Sequence, residues 1–177
     1  MTITLAIDTS TARTIVGVIE DENIIFEKFH DGATDHGRAL SQLVAEALKV
    51  SSPPKQVVVG MGPGPFTGLR VGISFARAFG VARNIPVIGI CSLDAIDIEM
   101  REYIVATDAR RKEIYWAHYK DGIRIEGPSV NKPEEIKDFI IDKYPDIKKL
   151  VSLSASQNIT EPMYLRRPDA VPTSERS

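Results

Sequence analysis

The chain has 177 residues, 43% of them hydrophobic and 26% charged, which is enough for one domain or two small ones with an ordinary hydrophobic core. The formal net charge of −2 excludes a broad cationic surface, so we expect no binding of RNA by the chain alone. A lone cysteine excludes an internal disulfide and a paired CxxC zinc site, and the absence of a secretory signal or a membrane-spanning apolar run favours a cytoplasmic protein without a membrane partner.

Residues 1–100 are predicted to form one lobe with the element order βββαβαβα, because short apolar runs bounded by polar turns alternate with stretches of helical periodicity. The predicted strands cover residues 2–7, 14–19, 24–29, 57–59 and 86–91. The predicted helices cover residues 35–49, 67–83 and 92–100. The first of these helices is amphipathic, and its apolar side is formed by Leu40, Leu43, Val44, Ala47 and Leu48.

Residues 101–177 repeat this pattern in a shortened βββαβ form, followed by a polar tail. The predicted elements are strands at 103–107, 114–119, 123–126 and 149–153 and a helix at 133–144. The two halves align without a gap at an offset of 100 residues, with identities at strand ends and turns. These identities are Ala6 with Ala106, Asp8 with Asp108, Asp21 with Asp121, and Ile25 with Ile125. We therefore predict an α/β fold of the actin-like or ribonuclease H-like type, duplicated, with an N-terminal lobe at 1–100 and a shortened C-terminal lobe plus tail at 101–177.

The turn after the first predicted strand is rich in carboxylate and hydroxyl groups. Such a turn can hold a metal-bound phosphate, or it can simply close a hairpin as an Asx turn. The glycine loop at 60–68 lacks the lysine of a Walker loop and the third glycine of a dinucleotide fingerprint, and Thr67 is the predicted N-cap of the helix that follows. If a phosphate or nucleotide binds, the candidate residues are Asp8, Thr9, Ser10, Gly62, Gly64, Thr67 and Asp108.

A stripe of small residues, Gly68, Gly72, Ala76 and Gly80, recurs at every fourth position of the helix at 67–83. Because glycine inside a helix costs roughly 1 kcal/mol relative to alanine, the stripe implies the close approach of another backbone. One hypothesis is tight packing on the protein's own sheet, and the other is a groove for a second subunit. On the second hypothesis the interface residues are His36, Leu40, Leu43, Val44, Ala47, Gly68, Leu69, Gly72, Ile73, Ala76, Arg77 and Gly80.

The remaining reactive residues do not form a recognisable catalytic set. The three histidines, which show no metal-binding spacing and predict no metal site, are His30, His36 and His118. The side chain of His36, at the start of the first helix, is expected to be solvated or to cap that helix. Cys91 is expected to be a buried apolar residue rather than a nucleophile. The charged hairpin at 108–113 either is a solvated turn or reaches a cleft between the lobes. Arg166 and Arg167 either contact RNA phosphates or a partner carboxylate, or are ordinary tail residues.

Several motifs together resemble the TsaB (YeaZ) family, the actin-like accessory subunit of the bacterial machinery that makes threonylcarbamoyladenosine in tRNA. The resemblance covers nearly the whole chain. Its motifs are LAIDTST at 5–11, His36, GMGPGPFTGLRVGISFARAFG at 60–80, CSLDAI at 91–96, TDARRKEIYWAHY at 107–119 and YLRRPDA at 164–170. The chain departs from the family at Pro65, where serine is common, and in its short second lobe without a closing helix.

The resemblance implies a scaffold rather than an enzyme. TsaD, a paralogue of TsaB, would transfer the threonylcarbamoyl group. This chain would bind TsaD through its first two helices, and the same face would support a homodimer. The ATPase TsaE would join the complex, TsaC would supply the threonylcarbamoyl-adenylate, and tRNA would be contacted only through the complex. The resemblance implies no tightly bound cofactor, and ATP or ADP would bind at the subunit junction.

Two enzymatic alternatives remain open from the sequence. The first is a small ATPase or phosphotransferase of the actin-like fold that uses Asp8 and Asp108 across an inter-lobe cleft. The second is a glycoprotein peptidase, an older label for relatives of this fold, for which Cys91 would be the nucleophile.

Overall fold

Two β-sheets form the framework of the computed structural model, which describes residues 2–166. The first sheet has the order β3-β2-β1-β4-β5, in which β1 pairs antiparallel with β2 and parallel with β4. Its strands are β1 (Ile3–Asp8), β2 (Arg13–Glu20), β3 (Asn23–Asp31), β4 (Gln56–Gly60) and β5 (Val87–Ile90). Each end of these strands lies within two residues of the predicted one.

Helices cover both faces of this sheet. The amphipathic helix α1 (His36–Val50) and the glycine-rich helix α2 (Phe66–Arg83) pack on one face, over alternate strand residues such as Leu5 and Ile7. A third helix, α3 (Ile147–Leu153), packs on the other face, over the intervening residues such as Ala6. Because successive strand residues point to opposite faces, covering both faces requires the nearly continuous apolar runs that β1, β2 and β4 show.

The second sheet repeats the arrangement with one strand fewer. Its order is β8-β7-β6-β9, and β6 pairs antiparallel with β7 and parallel with β9, just as β1 does with β2 and β4. Its strands are β6 (Glu102–Asp108), β7 (Ile114–Lys120), β8 (Ile123–Asn131) and β9 (Phe139–Ile140). Asp21 and Asp121, matched at the offset of 100, both have left-handed backbones with φ of 54° and 50°. The predicted duplication is therefore confirmed in the topology.

Three predicted elements are wrong. The helix at 92–100 is only a 3₁₀ turn at Leu93–Ala95. The helix at 133–144 is a 3₁₀ turn at Pro133–Glu135 followed by β9, and the left-handed φ values of Asp138 and Asp142, 54° and 63°, are incompatible with a continuous helix.

The strand predicted at 149–153 is the helix α3. Asp146 caps this helix by accepting a hydrogen bond from the backbone N–H of Lys149 at 2.8 Å. Ile147 and Leu150, one turn apart, are buried against the first sheet. A segment of the C-terminal half thus supplies the second helical layer of the first sheet. Within residues 2–166, no helix has the length and apolar character needed to cross a membrane.

Candidate functional site

Residues 8–10 of the turn after β1 are closed off from solvent. The Asp8 carboxylate is 2% exposed, and its Oδ1 accepts hydrogen bonds from the backbone N–H of Ser10 at 2.9 Å and the Ser10 hydroxyl at 2.6 Å. Its Oδ2 has no hydrogen-bond partner among residues 2–166. Burial raises the pKa of Asp8 above its usual value, although the Ser10 hydrogen bonds oppose the shift.

The glycine loop between β4 and α2 is held against this turn. A Cβ on Gly64 would collide with the backbone carbonyl of Ser10, so only glycine fits there. Gly62 has a φ of +94°, which favours glycine, and it exchanges hydrogen bonds with Ser92: the Gly62 N–H donates to the Ser92 hydroxyl at 3.2 Å, and the Ser92 N–H donates to the Gly62 carbonyl at 2.7 Å. The loop is therefore held by contacts with the protein itself.

Thr9 explains why α2 carries glycine. The Thr9 hydroxyl donates a hydrogen bond to the carbonyl of Gly68 at 2.7 Å and accepts one from the N–H of Gly72 at 3.2 Å. The Thr9 side chain therefore contacts the backbone of α2 directly, at one turn of the helix. A Cβ on Gly72 would collide with this hydroxyl, and a Cβ on Gly68 would lie 2.8 Å from the carbonyl oxygen of Thr9. At the far end of the stripe, a Cβ on Gly80 would collide with Val87.

The prediction that the stripe is an open groove for a second subunit is therefore wrong, and the alternative of packing on the protein's own sheet is confirmed. Every predicted interface residue except Arg77 is buried. Arg77 is exposed, and its guanidinium donates to the carbonyl of Thr160 at 2.7 Å. The buried residues are His36, Leu40, Leu43, Val44, Ala47, Gly68, Leu69, Gly72, Ile73, Ala76 and Gly80.

The predicted phosphate-binding set is also divided. Its buried members are Asp8, Thr9, Ser10, Gly62 and Gly64, of which Gly64 also borders a cavity between the two sheets. Thr67 and Asp108 are exposed and lie in a cleft between the two sheets. Thr67 is not the N-cap of α2; that position is taken by Pro65, which has no side chain able to cap the helix.

The cleft contains two adjoining cavities. The larger, of about 500 Å³, is lined by the first turn of α2 and by the hairpin between β6 and β7. Of the two alternatives for this charged hairpin, the one in which it reaches the cleft is therefore confirmed. The smaller, of about 400 Å³, contains Asp108 and Thr107. Residues that sequence reasoning missed here are Phe66, Tyr115 and Tyr164, whose aromatic character gave no signal without knowledge of the topology. Arg166 lines the larger cavity, whereas Arg167 lies outside the described residues.

His36 and Cys91 are both buried. His36 is buried, with Nδ1 at 2.8 Å from the Thr14 hydroxyl, and burial together with the nearby charge of Arg110 lowers its pKa. It does not have the solvated or capping role that was predicted. Cys91 is buried, as predicted, and burial raises its pKa to about 12. A thiol with this pKa is essentially un-ionised at neutral pH and is a poor nucleophile.

A buried polar cluster around Asp94 joins the two halves of the chain. The Asp94 carboxylate accepts hydrogen bonds from the hydroxyl of Tyr119 at 2.6 Å, Nε of Arg124 at 2.9 Å and the side-chain amide of Gln157 at 2.7 Å. Sequence reasoning missed this cluster because its members are up to 63 residues apart. It fixes the connection after β5 against the second sheet.

Comparisons with known proteins agree with this architecture. The family model described as TsaD, tRNA N6-adenosine threonylcarbamoyltransferase, matches residues 30–171. An uncharacterized protein of Mycobacterium tuberculosis is 39% identical over an alignment of 197 positions. The alignment covers 95% of this chain and 93% of that protein. The Escherichia coli tRNA threonylcarbamoyladenosine biosynthesis protein TsaB is 30% identical over 126 residues, 66% of this chain and 54% of that protein. An uncharacterized Mycobacterium leprae protein is 46% identical over 145 residues, but this chain spans only 40% of its length.

Solved structures show the same fold. A Pseudomonas aeruginosa protein described as similar to peptidase YeaZ superposes with a TM-score of 0.79 at 22% identity, covering 94% of this chain and all of that chain. YeaZ from the same organism gives a TM-score of 0.70 at 22% identity, covering 88% and 91% of the two chains. These likenesses confirm the predicted actin-like, duplicated α/β fold. The family model, which matches most of the chain, and the TsaB-named sequence relatives show that the chain belongs to the TsaB/YeaZ family.

Proposed function

We propose that the chain is a non-catalytic accessory subunit in the formation of threonylcarbamoyladenosine in tRNA, and that it binds the catalytic subunit TsaD through the outer surface of α1 and α2. The names of its TsaB relatives in Escherichia coli and Bacillus subtilis support the pathway. TsaE, TsaC and tRNA belong to the same proposal, with tRNA reached only through the assembled complex.

The observation that carries the docking proposal is an apolar ridge on α2. Val71, Phe75 and Phe79 follow one another at four-residue spacing, and each remains partly exposed while packing on the core. The rings of Phe75 and Phe79 are stacked with centroids 6.1 Å apart. Ala82 continues the same side of the helix and is exposed. Partly exposed aromatic residues on a rigid helix are typical anchors of protein interfaces.

Helix α1 extends this surface. Leu48 is partly exposed and packs on the same core cluster as the ridge. Gly37 of α1 faces open space, since nothing lies within 4 Å of a Cβ built on it, whereas the glycines of α2 are in close contact with other residues of the protein. The docking surface defined by the ridge, Leu48 and Ala82 therefore replaces the buried stripe as the proposed contact with TsaD. The same surface would support a homodimer when TsaD is absent.

The burial of the candidate reactive groups supports a role without chemistry. The phosphotransferase alternative needs Asp8 and Asp108 to face one nucleotide, but Asp8 is covered by the glycine loop and only Asp108 reaches the cleft. The peptidase alternative needs an ionised Cys91, and the pKa of about 12 opposes it.

The proposal is tested by co-expressing the chain with TsaD from the same organism and measuring the mass of the purified assembly. Ala82→Arg places a long cation on the ridge and is expected to abolish the one-to-one complex, while the arginine suits the C-terminal end of α2. Val81→Arg is the matched control, since Val81 is 83% exposed on a different side of the same turn and should leave the complex intact. A complex retained by Ala82→Arg, or threonylcarbamoyl transfer by this chain alone, would contradict the proposal.

A further inference from the structure

The outer surface of α2 carries positive charge that nothing in the described part of the chain neutralises. The helix contains Arg70, Arg77 and Arg83 and no aspartate or glutamate. All three arginines are exposed, and among residues 2–166 none of them forms an ion pair with a carboxylate. Arg77 donates only to the uncharged carbonyl of Thr160, at 2.7 Å. Because the chain as a whole has a formal charge of −2, this cationic character is local.

Helix α1 adds no compensating negative charge. Glu46 is the one carboxylate on α1 and α2, and its Oε2 already pairs with Nζ of Lys28 at 2.7 Å. Arg38 is likewise paired, with Asp35 at 2.6 Å, and Lys49 adds a further exposed cation in the last turn of α1. The docking surface is therefore apolar along the ridge and cationic around it.

The arginines border the same exposed face of α2 as the ridge. Successive residues of an α-helix are about 100° apart, so Arg70 lies on one side of this face and the ridge on the other. Ser74 and Ala78 are exposed between them and are too short to shield either side. At the end of the helix, the guanidinium carbon of Arg83 lies 5.2 Å from the centre of the Phe79 ring of the ridge. A partner that covers the ridge would therefore come close to guanidinium groups.

We propose that the docking surface selects a partner protein whose contact face has an apolar centre bordered by carboxylates, and that it disfavours a second copy of this chain. The inference rests on the proposed function and names the chemistry of the partner. In a two-fold contact the same patch of both copies is buried, so the arginines of one copy would repel those of the other. Carboxylates would instead form charge-assisted hydrogen bonds with these guanidinium groups.

The ridge favours a protein over a nucleic acid as this partner. Single-stranded nucleic acids bind where bases stack on free aromatic rings. The rings of Phe75 and Phe79 are already stacked on each other, at an interplanar angle of 17°, and both pack on the core. An apolar protein surface can cover such a ridge without needing a free ring face.

Salt dependence tests the proposal on the unmodified chain. Calorimetry with TsaD from the same organism, at roughly 20 mM and roughly 500 mM ionic strength, should give a dissociation constant that rises about tenfold or more with salt. Sedimentation of the chain alone should show the opposite trend, with stronger self-association at the higher ionic strength. The signs differ because salt screens an attraction in the first case and a repulsion in the second.

A charge reversal separates the two assemblies further. Arg70→Glu should weaken the complex with TsaD about tenfold at low ionic strength and strengthen the homodimer, whereas general damage to the surface would weaken both. The Arg70 guanidinium lies 5.2 Å from the ring of Phe66, so its replacement should leave the fold intact. Lys148→Glu is the matched control: Lys148 is exposed on α3, across the first sheet, and should leave both dissociation constants unchanged.

The outcomes distinguish this inference from the proposed function. No complex with TsaD at either ionic strength would contradict both. A complex that salt does not weaken, equal effects of Arg70→Glu and Lys148→Glu, or a homodimer that is tightest at low ionic strength would overturn the inference alone. So would binding of a short single-stranded RNA that Arg70→Glu abolishes while the complex with TsaD is unaffected.

Discussion

The turn after β1 and the turn after β6 occupy equivalent positions in the two halves, yet their surroundings are opposite. In both, the aspartate at the strand end accepts a hydrogen bond from the backbone N–H two residues later at 2.9 Å, in Asp8 from Ser10 and in Asp108 from Arg110. Asp8 is buried beneath the glycine loop, whereas Asp108 is exposed. The local geometry of the duplicated turn has been kept while its environment has diverged.

Side-chain size accounts for the divergence. The first turn continues with Thr9 and Ser10, which are small enough for α2 and its glycines to close over them. The second continues with Arg110, Arg111 and Lys112, which are exposed and have left-handed backbones with φ of 60°, 53° and 60°. Such large charged residues could not be covered by a helix without a high desolvation cost. Residues 8–10 of the first turn therefore serve packing, whereas Arg110 and Arg111 of the second turn form a wall of the cleft.

The largest effect is expected where the first turn meets α2. Gly72→Leu would drive a side chain into Thr9, combining overpacking with the loss of the Thr9 hydrogen bonds, so the free energy of unfolding should fall by about 3 kcal/mol or more. Gly37→Ala, on open helix surface, should instead raise it by up to about 1 kcal/mol. Urea denaturation of both variants checks this, and a stable Gly72→Leu monomer would show that the turn is not a packing element.

This contrast also shows how far the sequence could predict the molecule. Short-range signals, such as apolar runs, helical periodicity and the repeat at Asp8 and Asp108, correctly predicted the five strands of the first sheet, the strands β6, β7 and β8 of the second, and the duplication. They could not show that the partner of Gly72 is Thr9, because the contact joins residues 63 positions apart. The same limit applies to the C-terminal half, where Ile147 and Leu150 fit a strand or a helix until the cap at Asp146 and the face of the first sheet are known.

A smaller loss is expected when only the hydroxyl in the first turn is removed. Thr9→Val keeps the shape of the side chain but leaves the Gly68 carbonyl and the Gly72 N–H without it, which should cost about 1–3 kcal/mol of unfolding free energy. Thr11→Val is the matched control, since Thr11 is partly exposed and its hydroxyl accepts one hydrogen bond from the N–H of Arg13 at 3.1 Å. Equal losses in the two variants would remove the special role assigned to Thr9.

The buried carboxyl group of Asp8 should make the stability of the protein depend on pH. Because the pKa of Asp8 is raised in the folded state, its contribution to stability is fully present below its usual value of 3.8 and declines as the pH rises through the folded value. Asp8→Asn keeps the oxygen that accepts from Ser10 and lacks this titration, so its stability relative to the unmodified chain should improve as the pH rises. Denaturation midpoints from pH 4 to 8 measure the difference. A constant difference would contradict the raised pKa, and Asp108→Asn, at the exposed equivalent, provides the comparison.

The smallest effect concerns the second turn and has the opposite sign. Left-handed backbone costs an L-residue about 1–2 kcal/mol, and glycine removes this cost while adding chain entropy to the unfolded state. Lys112→Gly and Arg110→Gly should therefore each stabilise the fold by about 0.5–1 kcal/mol, measured by thermal unfolding. Destabilisation by both variants would mean that the second turn, like the first, is retained for packing, and the contrast between the two turns would fail.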